Sequence, residues 1–255
     1  MDIRLKDQVA IVTGAGQGIG AAIARAFAAA GARVAVNDQN PDRAQRVADE
    51  IIASGGQALA VAADVANKFQ CSHLIETTRA EWGRLDILVN NAGVVPRASV
   101  LKMDEWDWTR CLDVNLKGTF FMTQLCARVM SDENGERGGA IVNIASIAGV
   151  HTPFAERSAY CASKAGMVGF AREAARELAQ YNIRVNSILP GFIETPATEH
   201  AWGNPEILAQ ALTDIPAGRL GQPDDVAAVA LFLASPAASY MTGACVTVTG
   251  GQVMA

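Results

Sequence analysis

Four residues carry side chains whose types and spacing suit proton transfer. Tyr160 and Lys164 stand four apart in Tyr160-Cys161-Ala162-Ser163-Lys164, a helical spacing that sets both on one face about a turn apart. An ammonium beside a phenol favours the phenolate. The pair is therefore expected to bring the Tyr160 pKa down from about 10 towards the working pH of an acid/base catalyst. Ser146, in Ile144-Ala145-Ser146-Ile147-Ala148-Gly149, lies 14 residues upstream at the end of an apolar run, where a hydroxyl could hold a substrate oxygen beside Tyr160. Asn115, in Asp113-Val114-Asn115-Leu116-Lys117-Gly118, is a poor choice for a mostly apolar helix unless its amide is bonded or required. Each has a plain reading: a solvated helix face for the Tyr/Lys pair, a turn for Ser146, helix-to-strand glue for Asn115.

A second group of residues suits phosphate binding. Thr13-Gly14-Ala15-Gly16-Gln17-Gly18-Ile19-Gly20 follows the first apolar run and leads at once into a helical pattern. A glycine-rich turn there lets backbone approach a pyrophosphate, while the helix N-terminus offers free N–H groups and a partial positive charge. The spacing is GxxxGxG, at Gly14, Gly18 and Gly20; the commoner GxGxxG fails because Ile19 stands where glycine is needed. The second apolar run ends at Asn37-Asp38, with Asp38 18 residues beyond Gly20. A carboxylate at that strand tip accepts hydrogen bonds from the adenosine ribose 2'-OH and repels a 2'-phosphate, which points to NAD over NADP. Arg33 and Arg43 are the nearby cations, neither at the strand tip. Close packing by the glycines and turn-capping by Asp38 before Pro41 are the structural alternatives.

The elements that must position these groups alternate from start to finish, short apolar runs with longer helical patterns, as repeated βαβ units do. Strands are expected at 8–13, 33–37, 57–61, 87–90, 140–145, 184–188 and 245–248, and helices at 19–30, 42–54, 67–82, 105–130, 158–180 and 224–234. Asp104 suits an N-cap, and Pro223 with Asp224 and Asp225 suits a helix start. Residues 131–139 read as a polar surface turn, and 190–216 as a long connection with a short helix at 206–212, the substrate lid. The expected fold is α/β: a Rossmann-type, doubly wound, parallel seven-stranded sheet with helices on both faces, in a single domain over 1–255. Ser146 then lies at the carboxyl end of the fifth strand, the edge where such sheets bind dinucleotides.

Half of the 255 residues are hydrophobic and 18% are charged, which fits a sheet buried on both faces and excludes a disordered chain. The net charge of -5 without a dense Lys/Arg run lacks the footprint of nucleic-acid binding. No apolar stretch approaches the ~20 residues a membrane span needs. The charged start of the chain is unlike a secretory signal, so the cytoplasm is the expected compartment. Five scattered cysteines without a CxxC pair, and histidines at 73, 151 and 200 far apart, argue against a metal site.

Taken in order, these motifs resemble the short-chain dehydrogenase/reductase family in its single-domain form of about 250 residues, over nearly the whole chain. TGAGQGIG looks like the family's cofactor loop (Gly14, Gln17, Gly18, Ile19, Gly20). Asp64-Val65 looks like its adenine-contacting pair and Asn90-Asn91-Ala92-Gly93 like its cofactor-side strand end. Pro190-Gly191 with Ile193 and Thr195 resembles its nicotinamide-carboxamide stretch, and Asn115, Ser146, Tyr160 and Lys164 match its catalytic set. Thr249 stands where the family often has aspartate, and the Ser146-to-Tyr160 spacing is one residue longer than the commonest form.

The resemblance implies an NAD-dependent enzyme interconverting a secondary alcohol and a ketone. Ser146 would hold the substrate oxygen and Tyr160 pass the proton. Lys164 would lower the Tyr160 pKa and bond the ribose, and Asn115 would anchor a relaying water. A homotetramer is implied as well. The runner-up is a 3-oxoacyl-carrier-protein reductase, commonly NADPH-dependent, against which Asp38 argues. A non-catalytic dinucleotide-binding protein would have no need of the intact Ser146, Tyr160 and Lys164. For the substrate, 94–100, 151–157 and 192–215 are expected to form the pocket, with His151, Glu156 and Trp202 as candidate linings. Glu194, Glu199, Glu206 and Asp214, in a stretch without Lys or Arg, are expected either to disfavour anionic substrates or only to solvate the lid's outside.

Overall fold

The computed structural model describes residues 3–152 and 154–254. Met1 and Asp2 of the charged N-terminus, Pro153, Ala255 and the side chains of His200 and Ala201 lie outside the described residues. Seven parallel strands make one sheet: β1 (Val9–Val12), β2 (Arg33–Asp38), β3 (Gln57–Ala62), β4 (Ile87–Asn90), β5 (Gly139–Ile144), β6 (Ile183–Pro190) and β7 (Cys245–Val248), in the order β3-β2-β1-β4-β5-β6-β7. Around them lie α1 (Gly18–Ala29), α2 (Pro41–Ala53), α3 (Lys68–Trp82), α4 (Glu105–Leu112), α5 (Gly118–Glu133), α6 (Ser158–Leu178), α7 (Glu199–Trp202), α8 (Pro205–Thr213) and α9 (Pro223–Ala234). The Rossmann-type, doubly wound α/β architecture read from the sequence is the one observed.

The strands read as unbroken apolar runs because both of their faces are covered. In β1, Ala10 and Val12 pack on one side with Ile23 and Phe27 of α1 and Val226 and Leu233 of α9. Val9 and Ile11 pack on the other with Leu74 of α3 and Met122 of α5. Local chemistry starts the helices where expected: the Asn40 side chain accepts from the Arg43 N–H with Pro41 at the first position, and Asp104 accepts from the Asp107 N–H at 2.8 Å. The order in which successive strands join the sheet reverses between β1 and β4. A crevice opens there beyond their carboxyl ends, the general ligand position in open α/β sheets.

Three expectations need correcting. The uninterrupted helix over 105–130 is α4 and α5 joined by a π turn, Asp113–Lys117, with Asn115 at its centre. The widened turn lets the fully buried Asn115 amide reach out of the helix, and its hydrogen bonds to Val94 compensate the disturbed ladder. The 131–139 turn is tighter than a surface loop: α5 runs to Glu133 and buried Asn134 donates to the carbonyls of Leu85 and Gly138. The lid holds two helices, α7 and α8, the latter capped by Asn204. Four residues of α7 are too few to show a helical period.

Candidate active site

The site grows from the ends of β1, β2 and β4. Thr13 Oγ1 accepts from the N–H groups of Asn91 and Ala92 at 3.0 and 3.1 Å, stitching the ends of β1 and β4 together. The Asn91 amide donates to the carbonyls of Thr13 and Gly14. Gly14 turns through φ +59°, and a side chain there would press against the Ala92 backbone at 2.8 Å. A Cβ on Gly20 would collide with the Gly14 carbonyl and the Asn91 amide. These positions take glycine because the loop folds back on itself.

The result is a cleft of about 280 Å³ whose wall includes Gly14, Gln17, Gly18, Ile19, Asp38, Asp64, Val65, Asn91, Ala92, Gly93 and Thr195. Eleven expected cofactor residues thus share one wall. Gly20 lies buried beneath it. Pro190 ends β6, Gly191 packs against Thr249 and Gln252, and buried Ile193 bridges to Gly221, all away from that wall. Asp38 closes β2 with both carboxylate oxygens engaged: Oδ2 accepts from the Gly16 N–H at 3.1 Å and Oδ1 from the Asn40 N–H at 2.9 Å.

Several cleft residues were not foreseen. Arg110 of α4 pairs with Asp64 at 2.9 Å, from 46 positions away, and nothing local marks it. Asn37 holds β2 and β3 together by donating to Val61 and Ala63; a polar residue inside a buried strand was its signal. Arg43, read as a nearby cation that is not at the strand tip, lines the same cleft as Asp38. Its position in the first turn of α2 brings it back over the tip of β2.

The catalytic candidates lie past Gly93. A Cβ on Gly93 would stand 3.4 Å from Asn115 Oδ1 and 3.8 Å from Lys164 Nζ, so these groups continue directly from the cleft wall. The Asn115 amide accepts from the Val94 N–H at 2.8 Å and donates to the Val94 carbonyl and Ser163 Oγ, both at 3.0 Å. The glue role is therefore present. Lys164, buried, donates to the Ile144 carbonyl at 2.7 Å, and its Nζ lies 5.7 Å from the centre of the Tyr160 ring. Burial pushes its pKa down to about 8.

One electrostatic expectation fails. The Tyr160 pKa is raised above its ordinary value, because desolvation by the surrounding protein outweighs the downward pulls. Those pulls come from hydrogen bonding with Ser146 and from the charge of Arg157; the Lys164 ammonium is committed to Ile144.

The substrate side is aromatic. Phe154 meets Phe192 edge-on with ring centres 5.6 Å apart, and Phe192 meets Trp202 of α7 at 5.3 Å. His151 and Glu156, expected beside Trp202, are exposed. All four lid acids, Glu194, Glu199, Glu206 and Asp214, are exposed as well, with Glu194 bound to the Gln222 amide. They solvate the lid's outside. Among the described residues no group of three or more His, Cys, Asp or Glu is placed to hold a metal ion, and no helix is long and apolar enough to cross a membrane.

Three comparisons place the chain among known proteins. A family model described as enoyl-(acyl carrier protein) reductase matches residues 14–252. A 3-oxoacyl-[acyl-carrier-protein] reductase of Synechocystis is 44% identical over 252 residues, covering 98% of each chain. A D-threitol dehydrogenase of Mycolicibacterium smegmatis is 42% identical, covering 99% of this chain and 95% of its own. A 7α-hydroxysteroid dehydrogenase solved with NADH and 7-oxo glycochenodeoxycholic acid superposes with a TM-score of 0.93 at 41% identity, covering 100% of this chain and 97% of its own.

Proposed function

This chain belongs to the short-chain dehydrogenase/reductase family, and from that premise we propose that it is an NAD-dependent dehydrogenase interconverting a secondary alcohol and a ketone, with Tyr160 as acid/base. The coarser part follows from the family: an oxidoreductase acting on a CH–OH or keto group with a nicotinamide dinucleotide. The observation that carries the finer reading is the Tyr160 ring with Lys164 Nζ 5.7 Å from its centre, Lys164 itself reaching Gly93 in the wall of a cleft that also includes Asp38.

The cleft suits a dinucleotide in its own terms. Glycine backbone at Gly14 and Gly18 lines it, and the α1 N-terminus faces it with free N–H groups. Asp38 stands at the strand tip where a ribose 2'-OH would donate to it, Asp64 and Val65 would border the adenine, and Ile193 and Thr195 would border the carboxamide. The bound nicotinamide supplies the hydride acceptor for oxidation and the donor for reduction.

This chain's own residues handle the proton. In oxidation Ser146 Oγ holds the substrate oxygen, Tyr160 Oη takes the hydroxyl proton, and the carbinol C–H leaves as hydride as the C=O forms; in reduction each transfer reverses. Lys164 beneath the Tyr160 ring is the ribose partner. Asn115 keeps the Gly93–Val94 turn against Lys164 and is the outward end of the proton relay.

Replacing Tyr160 with Phe is expected to leave NAD affinity within about twofold and to cut turnover by about 10²–10⁴, the usual worth of a positioned acid/base. Cofactor titration and absorbance of the reduced dinucleotide over a panel of alcohols measure both. Near-normal turnover would remove Tyr160 from the chemistry.

A second reading, reduction of 3-oxoacyl thioesters, is favoured by the 44% identical Synechocystis reductase. Faster oxidation of NADPH by acetoacetyl-CoA than of NADH by simple ketones would select it. We also propose a cytoplasmic homotetramer built from a single domain. Exposed Trp106 on α4 and Phe120 on α5, with Leu101 in the turn before α4, support the assembly, and light scattering should return four chains per particle.

A further inference from the structure

Arg157 stands three residues before Tyr160, at the position that opens α6, and residues three apart at a helix turn are neighbours at ~5–6 Å between Cβ atoms. Its guanidinium carbon lies 5.7 Å from the centre of the Phe154 ring. The contact sets the guanidinium beside the ring. The N–H donors on its edge have no hydrogen-bond or ion-pair partner among the described residues. A half-buried guanidinium beside a ring, with its N–H donors unpartnered, can receive a carboxylate through two parallel bonds.

Its surroundings aim it at the reaction. Phe154 leads through Phe192 to Trp202, so the same aromatic row runs from Arg157 past the chain that follows Gly191 to the lid. The Ala98 N–H donates to the Glu156 carbonyl at 3.0 Å and Ala98 bridges Arg157, which holds the 94–100 loop alongside. The charge of Arg157 reaches the Tyr160 phenol. The lid acids are exposed, and none of them is ion-paired with Arg157 among the described residues.

We infer that Arg157 binds a carboxylate carried by the substrate a few atoms from the carbinol carbon, so that the alcohol oxidised here is a hydroxy acid. This rests on the proposed reaction at Tyr160. The short reach from Arg157 to Tyr160 selects a free acid over a long carrier thioester, whose phosphates lie many atoms from the reacting carbon.

The test uses the full-length wild type and the variants Arg157→Ala, Arg157→Lys and Arg176→Ala, Arg176 being an exposed cation near the far end of α6. Substrates are 2- and 3-hydroxy acids of four to six carbons, each beside its methyl ester, with 3-hydroxybutyryl-CoA as a separate arm; reduced NAD is followed. The wild type is expected to favour the acids over their esters. Arg157→Ala should lose about tenfold to hundredfold in kcat/KM on the acids, mainly through KM, while ester rates change little. Arg157→Lys should recover part of the loss, and Arg176→Ala should match the wild type. Equal losses on acid and ester, or none on either, overturn the carboxylate site while leaving the dehydrogenase reading standing. A loss confined to the CoA thioester also overturns it. Wild-type inactivity on every substrate in the panel overturns both.

Discussion

At the cofactor end of the cleft, Asp38, Asn91 and Thr13 spend their polar atoms on backbone groups of neighbouring strand ends. At the aromatic end, Phe154 and Phe192 meet ring to ring from segments far apart in the chain, and Arg157 rests beside Phe154. The first arrangement is rigid because each hydrogen bond fixes a direction. The second can re-pack when a side chain changes. One end of the molecule is therefore built for a single ligand, and the other can vary its ligand without disturbing the sheet.

This difference can be broken most sharply at Gly20. Alanine there drives into Gly14 and Asn91 together, and the NAD dissociation constant is expected to rise by about a hundredfold, ~2.7 kcal/mol. Isothermal titration measures it, and an unchanged affinity would mean that the loop is not held by these contacts. Next is Asp38→Asn, which removes the charge that would oppose a 2'-phosphate. The NADP-to-NAD ratio of kcat/KM should rise about tenfold to hundredfold, and a flat ratio would deprive Asp38 of its role.

Lys164 sharpens the comparison where the two ends meet. Its folded pKa of about 8 lies below the ordinary 10.5. Between these values the unfolded chain keeps a proton that the folded chain has released, so wild-type stability relative to Lys164→Met rises with pH from 8 to 10.5. Urea unfolding should show a relative gain on the order of 1–3 kcal/mol across that window, at ~1.4 kcal/mol per unit. A relative loss would mean that burial does not dominate at this ammonium. The smallest effect is expected from Trp202→Ala, which takes one ring from the lid contact with Phe192: KM should rise a few-fold with NAD affinity unchanged, since the pair is worth ~0.5–1.5 kcal/mol. Steady-state kinetics would show a fall in NAD affinity if the two ends were coupled.

The same contrast decides what the sequence reveals. Gly14, Gly18 and Gly20 stand out because backbone geometry at a strand-to-helix turn admits few other residues, and Asp38 stands out because it ends a strand beside them. The strands are legible because burial on both faces leaves unbroken apolar runs. The π turn at Asn115 is not, since one extra residue in a helical turn leaves the surrounding apolar pattern nearly intact. Arg110 is not legible either: its role comes from Asp64, a partner brought close only by folding. The Tyr160 pKa was misjudged for a related reason, because spacing shows which charge is near but not how much water is excluded.

The central claim meets its most direct test in the wild-type enzyme, with kcat/KM for NAD and for NADP measured on the best hydroxy acid or alcohol of the panel. A preference for NAD of at least about tenfold is expected from the charge of Asp38 at the ribose position. A preference for NADP would contradict the account and point instead to Arg43, across the same cleft, as the partner of a 2'-phosphate.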